Sequence, residues 1–272
     1  RVVLFNWSVT MLGAIVGDII GSRFEFDNIK KKEFELFSYD CFVTDDSIMT
    51  LAIATALLES KEDYSDLSQN AVKYMQLFGS YYPYAGYGGF FAQWLTSDNP
   101  QPYGSYGNGA AMRVSGCGFA ATTLEEAKAL SLAVTEVTHN HKEGLKGAEA
   151  TAVAVFLAKT GVKKTEIFDY ITQNYYPLDF TLDEIRETYQ FNETCQETVP
   201  QALVAFFEAD GFEDAIRNAI SIGGDSDTLG AITGAIAEAY YQVPDKIREE
   251  ALTFLEPQLI EILEEFEARF RD

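Results

Sequence analysis

The chain has 272 residues, with 42 acidic against 20 basic side chains, a formal net charge of −22, 47% hydrophobic and 14% aromatic residues. Such a composition supports a packed core and excludes a disordered polymer. The shortage of Lys and Arg argues against nonspecific binding to nucleic acid or to an anionic membrane surface, while a small phosphorylated ligand stays open because metal ions supply positive charge locally. Three cysteines (Cys41, Cys117 and Cys195) stand far apart, which points to a reducing cytoplasm and away from a disulfide framework or a zinc site. No apolar run approaches the roughly 20 residues of a membrane span.

Residues 1–10, "RVVLFNWSVT", precede "MLGAIVGDIIGS", which reads as a natural start at Met11. They are read as a non-native or artefactual extension to a domain covering 11–272, and their deletion is expected to leave activity and melting temperature unchanged. A short apolar helix ends around Gly17–Gly21, and a polar loop over 22–44 carries Glu25. From Asp45 onward the pattern is repeatedly helical, with apolar residues at three- and four-residue spacing. Helices are predicted to begin at Asp45 and to cover 63–79, 109–121, 124–138, 143–160, 163–174, 196–209, 213–221, 226–241 and 245–270. Between them, 79–108 is a long aromatic loop of the kind that is functional in compact domains. With strand signals scarce and no linker or repeat, the prediction is all-α: a single multi-helix domain.

Two helix starts carry unusual chemistry. "TDDSIMT" places Thr44, Asp45 and Asp46 before one apolar helix, and "GGDSDTLG" places Asp225, Asp227 and Thr228 before another. Aspartate at a helix start is a natural cap, since it accepts free backbone N–H groups and faces the positive end of the dipole. Four carboxylates and two hydroxyls in two such clusters also form a hard oxygen set suited to Mg²⁺ or Mn²⁺. Residue spacing alone leaves both readings open. An EF-hand is excluded because Leu229 and Ile236 occupy the fifth and twelfth positions counted from Asp225, and Met49 breaks a DDxxD pattern. The only histidines, His139 and His141, lack a third nitrogen or sulfur partner for zinc.

Taken together, "GDIIGSRFE", "TDDSIMT", "YGNGAAMR", "THNH" and "GGDSDTLGAITGAIAEAYYQVP" resemble the ADP-ribosylglycohydrolase family in order and spacing, from about Met11 to at least Pro244. The resemblance implies an all-α domain with a dinuclear metal cleft holding two Mg²⁺ ions, with Mn²⁺ as the alternative. It implies hydrolysis of the glycosidic bond between ADP-ribose and a modified acceptor, with ADP-ribosylated protein or an ADP-ribose-containing small molecule as partner. An arginine-linked acceptor is favoured, since the motif pattern is similar to the dinitrogenase-reductase branch. By motif, Thr44, Asp45, Asp46, Asp225, Asp227 and Thr228 are the expected ligands, with Asp227 touching both ions. Glu25, Asp46 and Asp227 take the catalytic roles, and Asp18 orients its neighbours. Gly107, Asn108, Gly109, His139, Gly223 and Gly224 are expected along the substrate. The rival readings are a non-hydrolytic ADP-ribose-binding relative, a hydrolase of another phosphate-bearing substrate, and a structural helical protein whose acids are caps.

Overall fold

Residues 11–271 are described in the computed structural model of the chain; the 1–10 extension and its predicted dispensability lie outside them. Fifteen helices follow in order: α1 (Leu12–Ser22), α2 (Asp45–Leu58), α3 (Leu67–Tyr81), α4 (Gly89–Leu95), α5 (Gly109–Met112), α6 (Ser115–Ala120), α7 (Leu124–Thr135), α8 (Lys142–Lys159), α9 (Lys164–Asn174), α10 (Leu182–Ile185), α11 (Cys195–Phe207), α12 (Phe212–Ser221), α13 (Ser226–Tyr241), α14 (Asp245–Leu252) and α15 (Pro257–Phe270). No strand occurs among the described residues; one isolated antiparallel bridge joins Gly107 to Thr194.

The architecture centres on α13. All its residues from Ser226 to Ala239 are buried, as is every residue of α1. A helix without a polar face belongs at the middle of a bundle, which matches the small-residue sequence "LGAITGAIAEA". These two helices pack backbone to backbone along a glycine seam. A Cβ on Gly17 would collide with the Gly230 carbonyl, and one on Gly13 with that of Gly234. Helices α12, α11 and α8 pack around other faces of α13, and α2 reaches α1 at its start. Glu238, buried in α13, accepts from the Gly13 backbone N–H at 2.6 Å and so places a negative charge at the positive start of α1.

The seam has a stability consequence. Gly17→Ala is expected to destabilise the protein by about 1–3 kcal/mol or more, because the carbonyl it meets belongs to a buried helix that cannot yield. Urea denaturation measures this, and a change below about 0.5 kcal/mol would show that the two helices slide apart freely.

Three sequence expectations are corrected. The run 245–270 is two helices, since Pro257 disfavours helical backbone at Glu256, which sits at ψ 148°. The run 109–121 breaks at Arg113–Val114 into two short helices. The 79–108 segment is not wholly loop: "GFFAQWL" forms α4, burying Phe91, Trp94 and Leu95.

Candidate active site

A cleft of about 290 Å³ opens where the N-termini of α2, α5 and α13 converge. Its floor is acidic, lined by Asp45, Asp46, Asp225, Asp227 and Thr228, with Glu25 and Glu193 beside them. Its other arm is lined by Phe90, Tyr103, the segment Gly107–Gly109, Arg113 and His139.

The capping bonds differ from helix to helix. At α2 the cap is Thr44, whose Oγ1 accepts from Asp46 N at 3.2 Å and donates to Asp18 Oδ1 at 2.6 Å. Asp45 and Asp46 are therefore free of that duty, and the buried Oδ1 of Asp46 has no hydrogen-bond partner. At α13 the Asp225 side chain makes no capping bond; its Oδ2 accepts instead from Asn108 Nδ2 at 2.7 Å. Asp227 accepts from Thr228 N at 3.0 Å. The buried Asp46 Oδ1, with no hydrogen-bond partner, calls for another partner.

Carboxylate oxygens of Asp18, Asp46 and Asp227 lie within 4.8 Å of one another, and so do those of Glu25, Asp225 and Asp227. Asp227 is common to both groups. Asp18 differs from the rest because its oxygens already accept from Thr44 and Ser47, through both backbone N–H groups and both hydroxyls. It holds the start of α2 against α1 and is a positioning residue.

The electrostatics follow from this crowding. Burial, offset by four hydrogen bonds, leaves Asp18 raised to about 6. Asp225 is likewise raised to about 6, chiefly by burial, with hydrogen bonds to Asp227 and then Asn108 opposing it. Asp45 rises to about 8 through burial and then the charge of Asp227. Glu25 reaches about 8 through burial, Asp227, Asp18 and Glu193. Asp46 and Asp227 are pushed well above the carboxylate range by burial first and neighbouring acids second. A compact, buried, mutually repelling set of oxygens with one atom orphaned fits a divalent cation, whose charge would reverse every one of these shifts.

The other arm is built on backbone. Asn108 N donates to Glu193 O at 2.8 Å and Cys195 N to Tyr106 O at 3.0 Å, which ties the Gly107–Gly109 segment to the start of α11. His139 is buried and its ring is held neutral, by burial first and the Arg113 charge second. Its Nδ1 lies 2.7 Å from Thr138 Oγ1, which also accepts from Arg113 Nη2 at 2.7 Å and donates to Thr135 O at 3.3 Å. Nε2 faces Gly107 and Gly109. His141 plays no such part; it caps α8 by accepting from Glu143 N.

Of the residues expected from sequence, Glu25, Asp45, Asp46, Gly107, Asn108, Gly109, His139, Asp225, Asp227 and Thr228 line the cleft together. Thr44 sits behind it as a cap. Gly223 and Gly224 are not among the lining residues. Both have positive φ, and their loop is held by Asn28 and Lys30: Gly224 N donates to Asn28 Oδ1, and Lys30 Nζ to Ile222 O. Glycine is needed there for backbone shape, which presents Asp225. Sequence reasoning gave no role to Glu193 or Arg113. Arg113 stood in plain view at the end of "YGNGAAMR"; Glu193 lies in a polar stretch with no local signal.

The family model for ADP-ribosylglycohydrolase matches residues 9–271. The chain is 27% identical to the ADP-ribosylhydrolase ARH3 of Gallus gallus, over 91% of this chain and 89% of that one. It is 25% identical to the Homo sapiens ARH3, over 92% and 90%. To the ADP-ribosylarginine hydrolase Tri1 of Pseudomonas putida it is 23% identical, over 86% and 70%. A solved structure described as an ADP-ribosylglycohydrolase-related protein complex superposes with a TM-score of 0.72 at 24% identity, covering 97% of this chain and 96% of that one. The chain belongs to the ADP-ribosylglycohydrolase family of enzymes.

Proposed function

We propose that the protein is a Mg²⁺-dependent hydrolase that releases ADP-ribose from a modified acceptor, arginine-linked in preference to other linkages. The observation that carries this reading is the pair of carboxylate groups sharing Asp227 on the floor of a cleft whose other arm is lined by aromatic, glycine and histidine groups. Two divalent cations, Mg²⁺ with Mn²⁺ as the alternative, would be held by Asp46, Asp225, Asp227 and Glu25, with Asp45 and Thr228 beside them. Bound there, they would supply Lewis acidity to the ribose hydroxyls and to water.

The chain's own residues do the rest. Phe90 and Tyr103 would offer ring faces to a base, while the Gly109 backbone N–H and the His139 ring would meet ribose or phosphate oxygens. Asn108 fixes the Asp225 carboxylate, and Asp18 fixes the start of α2. In the reaction the C1″–N bond breaks, a C1″–O bond to water forms, and a proton from that water ends on the departing nitrogen. Glu25, half-buried at the open edge, is placed to pass that proton. Three buried free cysteines accord with a cytoplasmic protein, the compartment we assign. No helix among the described residues is long and apolar enough to cross a membrane.

The test is a panel assay with Mg²⁺ against arginine-linked, serine-linked and O-acetyl ADP-ribose. Fastest release is expected from the arginine-linked substrate. Equal or faster release from the serine-linked peptide would overturn the preference, and no release from any of the three would overturn the hydrolase reading.

A further inference from the structure

Two phenylalanines that would ordinarily be buried stand in water on the loops that carry two of the cleft's acids. Phe26 is 86% exposed and Phe191 is 42% exposed. Their rings stack on each other, with centroids 6.0 Å apart and planes 28° from parallel. Each is a near neighbour in sequence of an acid that lines the cleft, since Glu25 precedes Phe26 and Glu193 follows Phe191 by two residues. The charge of Glu193 acts on both Glu25 and Asp225, so it stands at the carboxylate end.

Substrate direction follows from the lining. With its nucleotide along Phe90, Tyr103 and His139 and its reacting ribose over Asp225 and Asp227, ADP-ribose must send its acceptor outward past Glu25 and Glu193. Phe26 and Phe191 are carried on the same two loops as these acids, one and two residues away in sequence. Two cations of these loops are turned elsewhere: Arg23 donates to Glu35 O and Asp40, and Lys30 to the carbonyls of Tyr189 and Ile222. What remains is a pair of ring faces beside carboxylates. A flat cation suits both, because a guanidinium stacks on aromatic faces and its N–H fork matches a carboxylate.

We propose that Phe26, Phe191 and Glu193 form the acceptor subsite, and that it takes the guanidinium of an arginine-linked substrate. The ring pair covers the planar cation and the Glu193 carboxylate accepts its outward N–H groups. This rests on the hydrolase reading above and gives its acceptor preference a set of residues.

The test compares wild type with Phe26→Ala, Phe191→Ala, Glu193→Gln and Phe26→Tyr. The measurements are kcat/KM for an arginine-linked peptide and for O-acetyl ADP-ribose, with ADP-ribose affinity by calorimetry. Each alanine variant and Glu193→Gln is expected to lower the arginine-to-O-acetyl selectivity ratio roughly tenfold, mainly through KM for the peptide, as loss of one cation–π or charge-assisted contact implies. Phe26→Tyr, which keeps a ring face, should retain the ratio. Equal losses on both substrates, or no loss on either, would overturn the subsite. Wild-type protein that cleaves O-acetyl ADP-ribose but not the arginine-linked peptide would also overturn it while leaving the hydrolase standing. Failure of wild type to bind ADP-ribose at all would remove the reading beneath it.

Discussion

Asp227→Asn is expected to abolish ADP-ribose release while leaving the protein folded. Asp227 is the one carboxylate common to both acidic groups, so removing its charge would weaken any cation held by either group. Loss of several kcal/mol of transition-state stabilisation corresponds to a fall of about three orders of magnitude or more in turnover. The fold should survive because asparagine keeps an oxygen for the Thr228 N–H, and α13 is held by its buried apolar residues and the Gly17–Gly230 contact. Without divalent cations the variant should melt no lower than wild type, since burial and neighbouring acids oppose an ionised Asp227 in the folded state. A capping role predicts the opposite activity result: asparagine caps about as well as aspartate, and turnover would be unaffected. Calorimetric Mg²⁺ titration beside a release assay separates the two.

Stripped of divalent cations by chelation, the protein should lose stability as pH rises from about 4 to about 8. In the unfolded chain carboxyl groups ionise near pH 4. In the folded protein Asp18 and Asp225 hold their protons to about 6, and Glu25 and Asp45 to about 8. Over that window the folded state binds more protons than the unfolded, so each step up in pH favours unfolding. The stability these groups contribute is fully present below pH 4 and lost by pH 8. Divalent cations reverse the effect by replacing protons as the counter-charge. The rise in melting temperature on adding Mg²⁺ should therefore be larger at pH 8 than at pH 5. Thermal scans at both pH values, with chelator and with Mg²⁺, measure this. A melting temperature insensitive to pH and to Mg²⁺ would mean that these carboxylates are solvated and do not share a site.

Much of the fold was legible because helix starts and periodicity are local signals. "SDTLGAITGAIAEAYY" gave α13 at its observed limits, and the small residues that permit close approach were visible as such. What the sequence could not supply was the partner of each approach. That Gly17 meets Gly230, or that Glu238 caps α1 from the far end of α13, depends on contacts over 200 residues apart in sequence. The same limit governs the site. The acids at the two helix starts were recognisable, but Thr44 capping α2 for Asp45 and Asp46 is a matter of side-chain direction. Gly223 and Gly224 looked like substrate-facing glycines because φ and lining are indistinguishable in a string of letters; the structure gives them positive φ in a loop held by Asn28 and Lys30. Glu193 joins the cleft only through the pairing of 106–108 with 193–195.

The central claim is that this acidic cleft cuts the bond between ADP-ribose and its acceptor with divalent cations in place. The direct measurement is release of free ADP-ribose from a defined arginine-linked peptide, followed over time with the purified protein first in EDTA and then after Mg²⁺ is restored. No release in EDTA and full recovery with Mg²⁺ is the predicted result. Undiminished release in EDTA, or none under either condition, would contradict it.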